Sequence, residues 1–192
     1  MVFNIESYLN SLPEDIEEID VSHKKLKYIP DLSKFKNLKM LICSGNRLTS
    51  LPSLNKKLEV LQCSNNCLNS LPSLNENLKV LYCSNNCLNS LPSLNENLKV
   101  LDCSKNCLTY LPSLNEKLEV LQCSNNCFTY LPSLNEKLEG LYCYNNNLYS
   151  LPYLNEKLIS FNFDNNPICE IINSRKNMNE TKEKIKIFNK FR

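Results

Sequence analysis

A chain of 192 residues with a formal charge of +2, from 22 basic and 20 acidic side chains, carries no overall field that would gather nucleic acid or an anionic membrane. Two glycines are too few for a glycine-rich phosphate loop, and no run of about 18 apolar residues offers a membrane span. The length suffices for an independent core, and eleven cysteines without an apolar leader read as reduced thiols, not as a disulfide framework.

In chain order, Val2 to Asn10 carries Phe3, Ile5, Tyr8 and Leu9 and predicts a short capping helix. From Ile16 the chain becomes periodic. Leu-Pro-x-Leu-Asn returns every 20 residues, with Pro52, Pro72, Pro92, Pro112, Pro132 and Pro152, and a fixed period of this length marks a solenoid. One unit runs through Leu58, Leu61, Cys63, Asn66, Leu68, Leu71, Pro72 and Leu74. Units begin at Ile16, Leu38, Leu58, Leu78, Leu98, Leu118, Leu138 and Leu158; the first is 22 residues long and has Lys24 where asparagine is expected.

Around Leu61, inward Leu61 and Cys63 alternate with outward Val60, Gln62 and Ser64, the period of a short strand. Stacked units would pair these strands in parallel at about 4.8 Å. The same stacking aligns Asn46, Asn66, Asn86, Asn106, Asn126, Asn146 and Asn166 as a buried ladder, whose amides can serve the backbone where it leaves the sheet. The prolines keep the return segment extended, as suits a repeat too short for a helix. Both ends of a stack need caps, and Ile168, Ile171 and Ile172, followed by Ile185, Phe188 and Phe191, predict one or two closing helices. The expected organisation is a cap over 1–15, about eight repeats over 16–168, and a basic helical cap over 169–192.

This Leu-x-x-Leu-x-Cys-x-x-Asn-x-Leu unit with its Leu-Pro-x-Leu-Asn return resembles the leucine-rich-repeat family, specifically its short bacterial-effector class. The return segment of that class is usually Leu-Pro-x-Leu-Pro; here asparagine replaces the second proline, as at Asn55, although Leu12-Pro13 keeps it. Similar arrays occur in amoebal parasites and large DNA viruses. The resemblance implies a curved horseshoe with a parallel β-sheet on the concave face, extended or 3-10 return segments on the convex face, and short helical caps. It also implies a scaffold that binds proteins without specifying an activity. Some such effectors carry a ubiquitin-ligase domain after the repeats, for which the residues beyond Pro167 are too few. The expected setting is cytoplasmic, the chain's own or a host's.

Cys-x-x-x-Cys occurs four times, at Cys63/Cys67, Cys83/Cys87, Cys103/Cys107 and Cys123/Cys127. Zinc or thiol chemistry is one reading; packing is the other, and geometry favours packing. Cβ atoms along a parallel ladder lie about 5 Å apart, beyond the ~3.5–4.5 Å of a disulfide, and a row of thiols does not converge on a tetrahedral centre. The second cysteine of each pair should be the more exposed. No metal or cofactor is expected. His23, the only histidine, lies beside Lys24 and Lys25 and reads as a surface residue, so no nucleophile–base pair suggests an enzyme.

Two surfaces remain. The outward strand positions form one row of Met40, Val60, Val80, Val100, Val120, Gly140 and Ser160, and another of Ile42, Gln62, Tyr82, Asp102, Gln122, Tyr142 and Asn162. An apolar stripe edged by tyrosine, glutamine and aspartate predicts a protein-binding face, although valine also favours strands for its own sake. Tyr82 and Tyr142 are the expected anchors, Asp102 and Lys105 the orienting charges, and Tyr144 a flanking contact; Tyr110, Tyr130 and Tyr149 mark a rival edge. The alternative surface is the basic tail, Arg175, Lys176, Lys182, Lys184, Lys186, Lys190 and Arg192, which could meet nucleic acid or anionic lipid but reads more simply as the solvated side of a cap.

Overall fold

The computed structural model describes residues 3–172 and 178–190. Eight three-residue strands form one parallel sheet in chain order: β1 (Glu18–Asp20), β2 (Met40–Ile42), β3 (Val60–Gln62), β4 (Val80–Tyr82), β5 (Val100–Asp102), β6 (Val120–Gln122), β7 (Gly140–Tyr142) and β8 (Ser160–Asn162). The register never slips: Leu41, Leu61, Leu81, Leu101, Leu121 and Leu141 stand side by side, followed by Phe161. Most strands bury the middle residue and half-expose its two neighbours, so the period of two survives even in so short a strand. Leu58, Leu61, Cys63 and Leu68, with their equivalents, fill one continuous core behind the sheet.

Two asparagine ladders close the backbone on either side of that core. At the strand exit, Asn66 Nδ2 donates to the carbonyls of Cys43 and Cys63, and Asn66 Oδ1 accepts from the Leu48 amide. Each such asparagine therefore serves the unit before it and its own. This explains Lys24: the first unit has no predecessor to serve, and Asn46 takes the amides of Lys24 and Leu26 and donates to Val21 and Cys43.

The second ladder answers the replacement of proline by asparagine in the return segment. Asn95 Nδ2 donates to the carbonyls of Asn75 and Leu78, and Asn115, Asn135 and Asn155 repeat the pattern one unit on. Proline has no amide to offer in this role. Six asparagines at 20-residue spacing, Asn55 to Asn155, carry this signal in the sequence, although against the family motif they stand only as a departure.

Between the two, the chain turns through a left-handed residue at Asn65, Asn85, Lys105, Asn125, Asn145 and Asn165, with Gly45 in the equivalent place of the second unit. Asparagine and glycine tolerate that backbone best. One sequence expectation fails here: Ser64 is buried, and Ser124 more deeply still, with no hydrogen-bond partner for its hydroxyl. The strand has ended at Gln62, and in the turn towards Asn66 burial varies along the row: Ser44, Ser84 and Ser104 stay half-exposed, and Ser84 Oγ donates to Ser64 Oγ at 3.0 Å.

At the front, α1 (Ile5–Ser11) starts on Asn4, whose Oδ1 accepts the Ser7 amide, and buries Ile5 and Leu9. Lys34 Nζ ties down its end through the Leu9 carbonyl. At the back, α2 (Pro167–Ile172) and α3 (Met178–Lys190) follow the last strand and bury Ile168 and Ile185. The side chains of Ile171, Ile172 and Phe188, and all of Phe191, lie outside the described residues.

The closing cap completes both ladders with different chemistry. In the repeats, the Cys63 carbonyl accepts from Asn66 and from Asn86 of the next unit. At the last strand the Phe163 carbonyl accepts from Asn166 and, in place of a ninth unit's asparagine, from Cys169 Sγ at 3.2 Å. On the return side, Lys182 Nζ donates to the carbonyls of Asn155 (3.1 Å) and Leu158 (2.9 Å), the pair that a further asparagine would have served.

Candidate functional site

The constant register turns the outward strand residues into straight rows. Met40, Val60, Val80, Val100 and Val120 align, as do Ile42, Gln62, Tyr82, Asp102, Gln122 and Tyr142, and all of them are half-exposed. An apolar row thus lies beside a mixed polar and aromatic one on the open face of the sheet. From β2 to β7 the charged side chain in these rows is Asp102; β1 continues them with exposed Glu18 and Asp20.

The valine row ends where β7 begins. Gly140 is buried, and a Cβ placed there would touch Tyr142 Cε2 at 3.5 Å and Val120 Cγ1 at 3.6 Å. The Tyr142 ring therefore leans into the gap that glycine leaves, and its hydroxyl hydrogen-bonds Ser160 Oγ at 2.7 Å. Tyr142 is held on two sides, whereas Tyr82 stands between Gln62 and Asp102 in its row, next to the row of Val60, Val80 and Val100. The Asp102 carboxylate accepts the Ser104 amide, which fixes its direction. Its charge also adds to the burial that raises the Cys103 thiol far above its ordinary value.

Lys105 lies outside the strands, exposed at the left-handed turn three residues after Asp102. Tyr144 continues the row of Ser64, Ser84, Ser104 and Ser124 and is half-buried. The rival tyrosines, Tyr110, Tyr130 and Tyr149, are the more exposed set, at 46%, 57% and 48%. His23 is exposed too, and its ring lies where a Cβ on Gly45 would come within 2.4 Å of it, so its contact is with backbone.

The cysteines separate as two rows. Cys43, Cys63, Cys83, Cys103, Cys123 and Cys143 are buried, and Cys67, Cys87, Cys107 and Cys127 are exposed. Of the tail lysines among the described residues, three are engaged within the helix and cap and Lys190 is exposed. Lys182 is bound to backbone carbonyls, Lys184 pairs with Glu180 at 2.7 Å and Lys186 approaches Glu183 at 4.0 Å; Arg175, Lys176 and Arg192 lie outside the described residues. No helix among the described residues is long and apolar enough to cross a membrane.

Solved structures share this architecture. YopM, a leucine-rich effector protein from Yersinia pestis, superposes with a TM-score of 0.70 at 30% identity, over 84% of this chain and 52% of that one. YopM from Yersinia enterocolitica gives 0.68 at 30% identity, over 82% and 39%. A Shigella effector leucine-rich-repeat domain gives 0.71 at 27% identity, over 85% and 74%. The chain spans about half the length of the first of these. No family profile and no curated protein sequence matches it.

Proposed function

Because the chain is a leucine-rich-repeat solenoid of 20-residue units, related in fold and sequence to bacterial effectors, we propose that it is a non-catalytic module that binds a protein on the open face of its sheet. The observation that carries the reading is the pair of half-exposed rows: five apolar side chains from Met40 to Val120 beside Ile42, Gln62, Tyr82, Asp102, Gln122 and Tyr142. A continuous apolar stripe beside aromatic and amide groups suits a protein partner. Short strands joined by paired backbone need no partner of their own, so the face is free to be read by side chains alone.

Within this face Tyr82 is the principal anchor, and Tyr142, already held by Gly140 and Ser160, is a preformed wall. Asp102 sets orientation, with Lys105 and Tyr144 at the rim of the face. The likeness to effectors supports a partner met in a host cytoplasm. Engagement of Lys182, Lys184 and Lys186 within the cap weighs against nucleic acid or anionic lipid as the main ligand.

Binders selected against the intact protein from a host-protein display library provide the test. Tyr82→Ala should weaken the majority of them about tenfold or more, Tyr142→Phe should weaken them little, and circular dichroism should stay unchanged. Binders that ignore Tyr82, Val80 and Val100 but are lost on Tyr110→Ala with Tyr130→Ala would move the site to the rival edge.

A further inference from the structure

The exposed thiols of Cys67, Cys87, Cys107 and Cys127 are not accounted for by the core, which they do not enter, or by the proposed binding face. They occupy one position in four consecutive units, and their backbone is locked in register: the amides of Cys67, Cys87, Cys107 and Cys127 donate to the carbonyls of Leu48, Leu68, Leu88 and Leu108 at 2.8–2.9 Å. Side chains of neighbouring rows confirm how closely equivalent positions approach. Asn85 Nδ2 reaches Asn65 Oδ1 at 2.7 Å, and Ser84 Oγ reaches Ser64 Oγ at 3.0 Å.

Such a row repeats at the strand spacing of about 4.8 Å. Thiolates on adjacent rungs are therefore within reach of one soft ion placed between them, since a metal–thiolate bond is about 2.3 Å or shorter. Ions that demand three or four converging ligands find none, since no three Cys, His, Asp or Glu groups come together among the described residues. We propose that the exposed thiol row is a site for a two-coordinate soft cation of the Cu(I) class, each ion bridging thiolates of adjacent units, Cys67 with Cys87 and Cys107 with Cys127.

Soft thiolates select Cu(I) over harder ions. Each site takes up one Cu(I) and releases two thiol protons, leaving a bis-thiolate complex with one net negative charge. A cation flanks each complex. Arg47 holds the same position one unit before Cys67, and Lys105 lies two residues before Cys107, both exposed.

The test compares two variants with equal numbers of exposed thiols. In one, Cys107→Ser with Cys127→Ser leaves the adjacent pair Cys67 and Cys87; in the other, Cys87→Ser with Cys107→Ser leaves Cys67 and Cys127 three rungs apart. Each is titrated anaerobically with the acetonitrile complex of Cu(I) against a colorimetric Cu(I) chelator. The intact row should hold two ions and the adjacent pair one, with at least about tenfold higher affinity than the separated pair, the gain expected when a second ligand is already in place. X-ray absorption should show two sulfur neighbours per ion. Equal affinity in the two variants, three or four sulfur neighbours, or full retention of copper by the variant with all four exposed cysteines changed to serine would overturn the proposal.

Discussion

Lysine and asparagine are unequal occupants of the left-handed turn that follows each strand. Asn65, Asn85, Asn125, Asn145 and Asn165 hold φ between 52° and 57°, and Lys105 is forced to 54° among them. A short amide tolerates that backbone, whereas other side chains are strained there by about 1–2 kcal/mol. Lysine also interrupts a side-chain chain: Asn85 bonds Asn65, Asn145 bonds Asn125 and Asn165 bonds Asn145, but nothing spans from Asn85 to Asn125. Lys105→Asn should therefore raise stability by about 1 kcal/mol in urea unfolding. A loss of stability on that change would show that the lysine holds a contact worth more than the turn. The same substitution removes the charge three residues from Asp102, so a binder that weakens as the fold strengthens would place Lys105 in the interface rather than in the scaffold.

At the scale of elements, the cap works by imitation. Cys169 and Lys182 deliver to Phe163, Asn155 and Leu158 the hydrogen bonds that a ninth unit's two asparagines would have made. Lys182→Met keeps the length of the side chain and removes the ammonium, leaving two carbonyls at the end of the stack without a protein donor. A charge-assisted bond of this kind contributes about 1.5–3 kcal/mol, and the loss should fall on the cap: hydrogen exchange in α3 should accelerate while β3 to β6 stay protected. Unchanged exchange in α3 would mean that buried Ile185 and the Asn189 hydrogen bond to the Leu151 carbonyl hold the helix down without the ammonium. The repeats were legible in the sequence because the same residue does the same work every 20 positions, so periodicity alone exposes the sheet, its register and the first asparagine ladder. The closing helices were legible from Ile168 and Ile185, but the donors that complete the ladders were not, because they share no residue type with the asparagines they replace. The rows of the open face were legible as rows, but the lean of Tyr142 into the place left by Gly140 was not, since it depends on how one ring packs where a Cβ is missing.

The whole molecule shares one core, and six thiols run through its length. Burial pushes Cys43 up to about 12, and Cys63, Cys83, Cys103, Cys123 and Cys143 are also raised far above their ordinary value, chiefly by burial. An unfolded thiol loses its proton near pH 8.5, so between that pH and about 12 the unfolded chain binds fewer protons than the folded one. Stability is therefore fully present below about pH 8.5 and falls as pH rises, by about 1.4 kcal/mol per pH unit for each thiol. Six such groups together reach about 8 kcal/mol per unit, comparable with the ~5–15 kcal/mol that holds a typical domain folded. The solenoid should lose its circular dichroism between about pH 9 and 10 at a temperature where it is stable at pH 7. Lysines and tyrosines titrate over a similar range, so the comparison that isolates the thiols is with Cys63→Val, Cys83→Val and Cys103→Val combined. Valine fills nearly the same space without a proton to lose, and the triple variant should stay folded to higher pH, with about half the slope of stability against pH. An unchanged alkaline midpoint would show that groups other than the buried thiols set the limit.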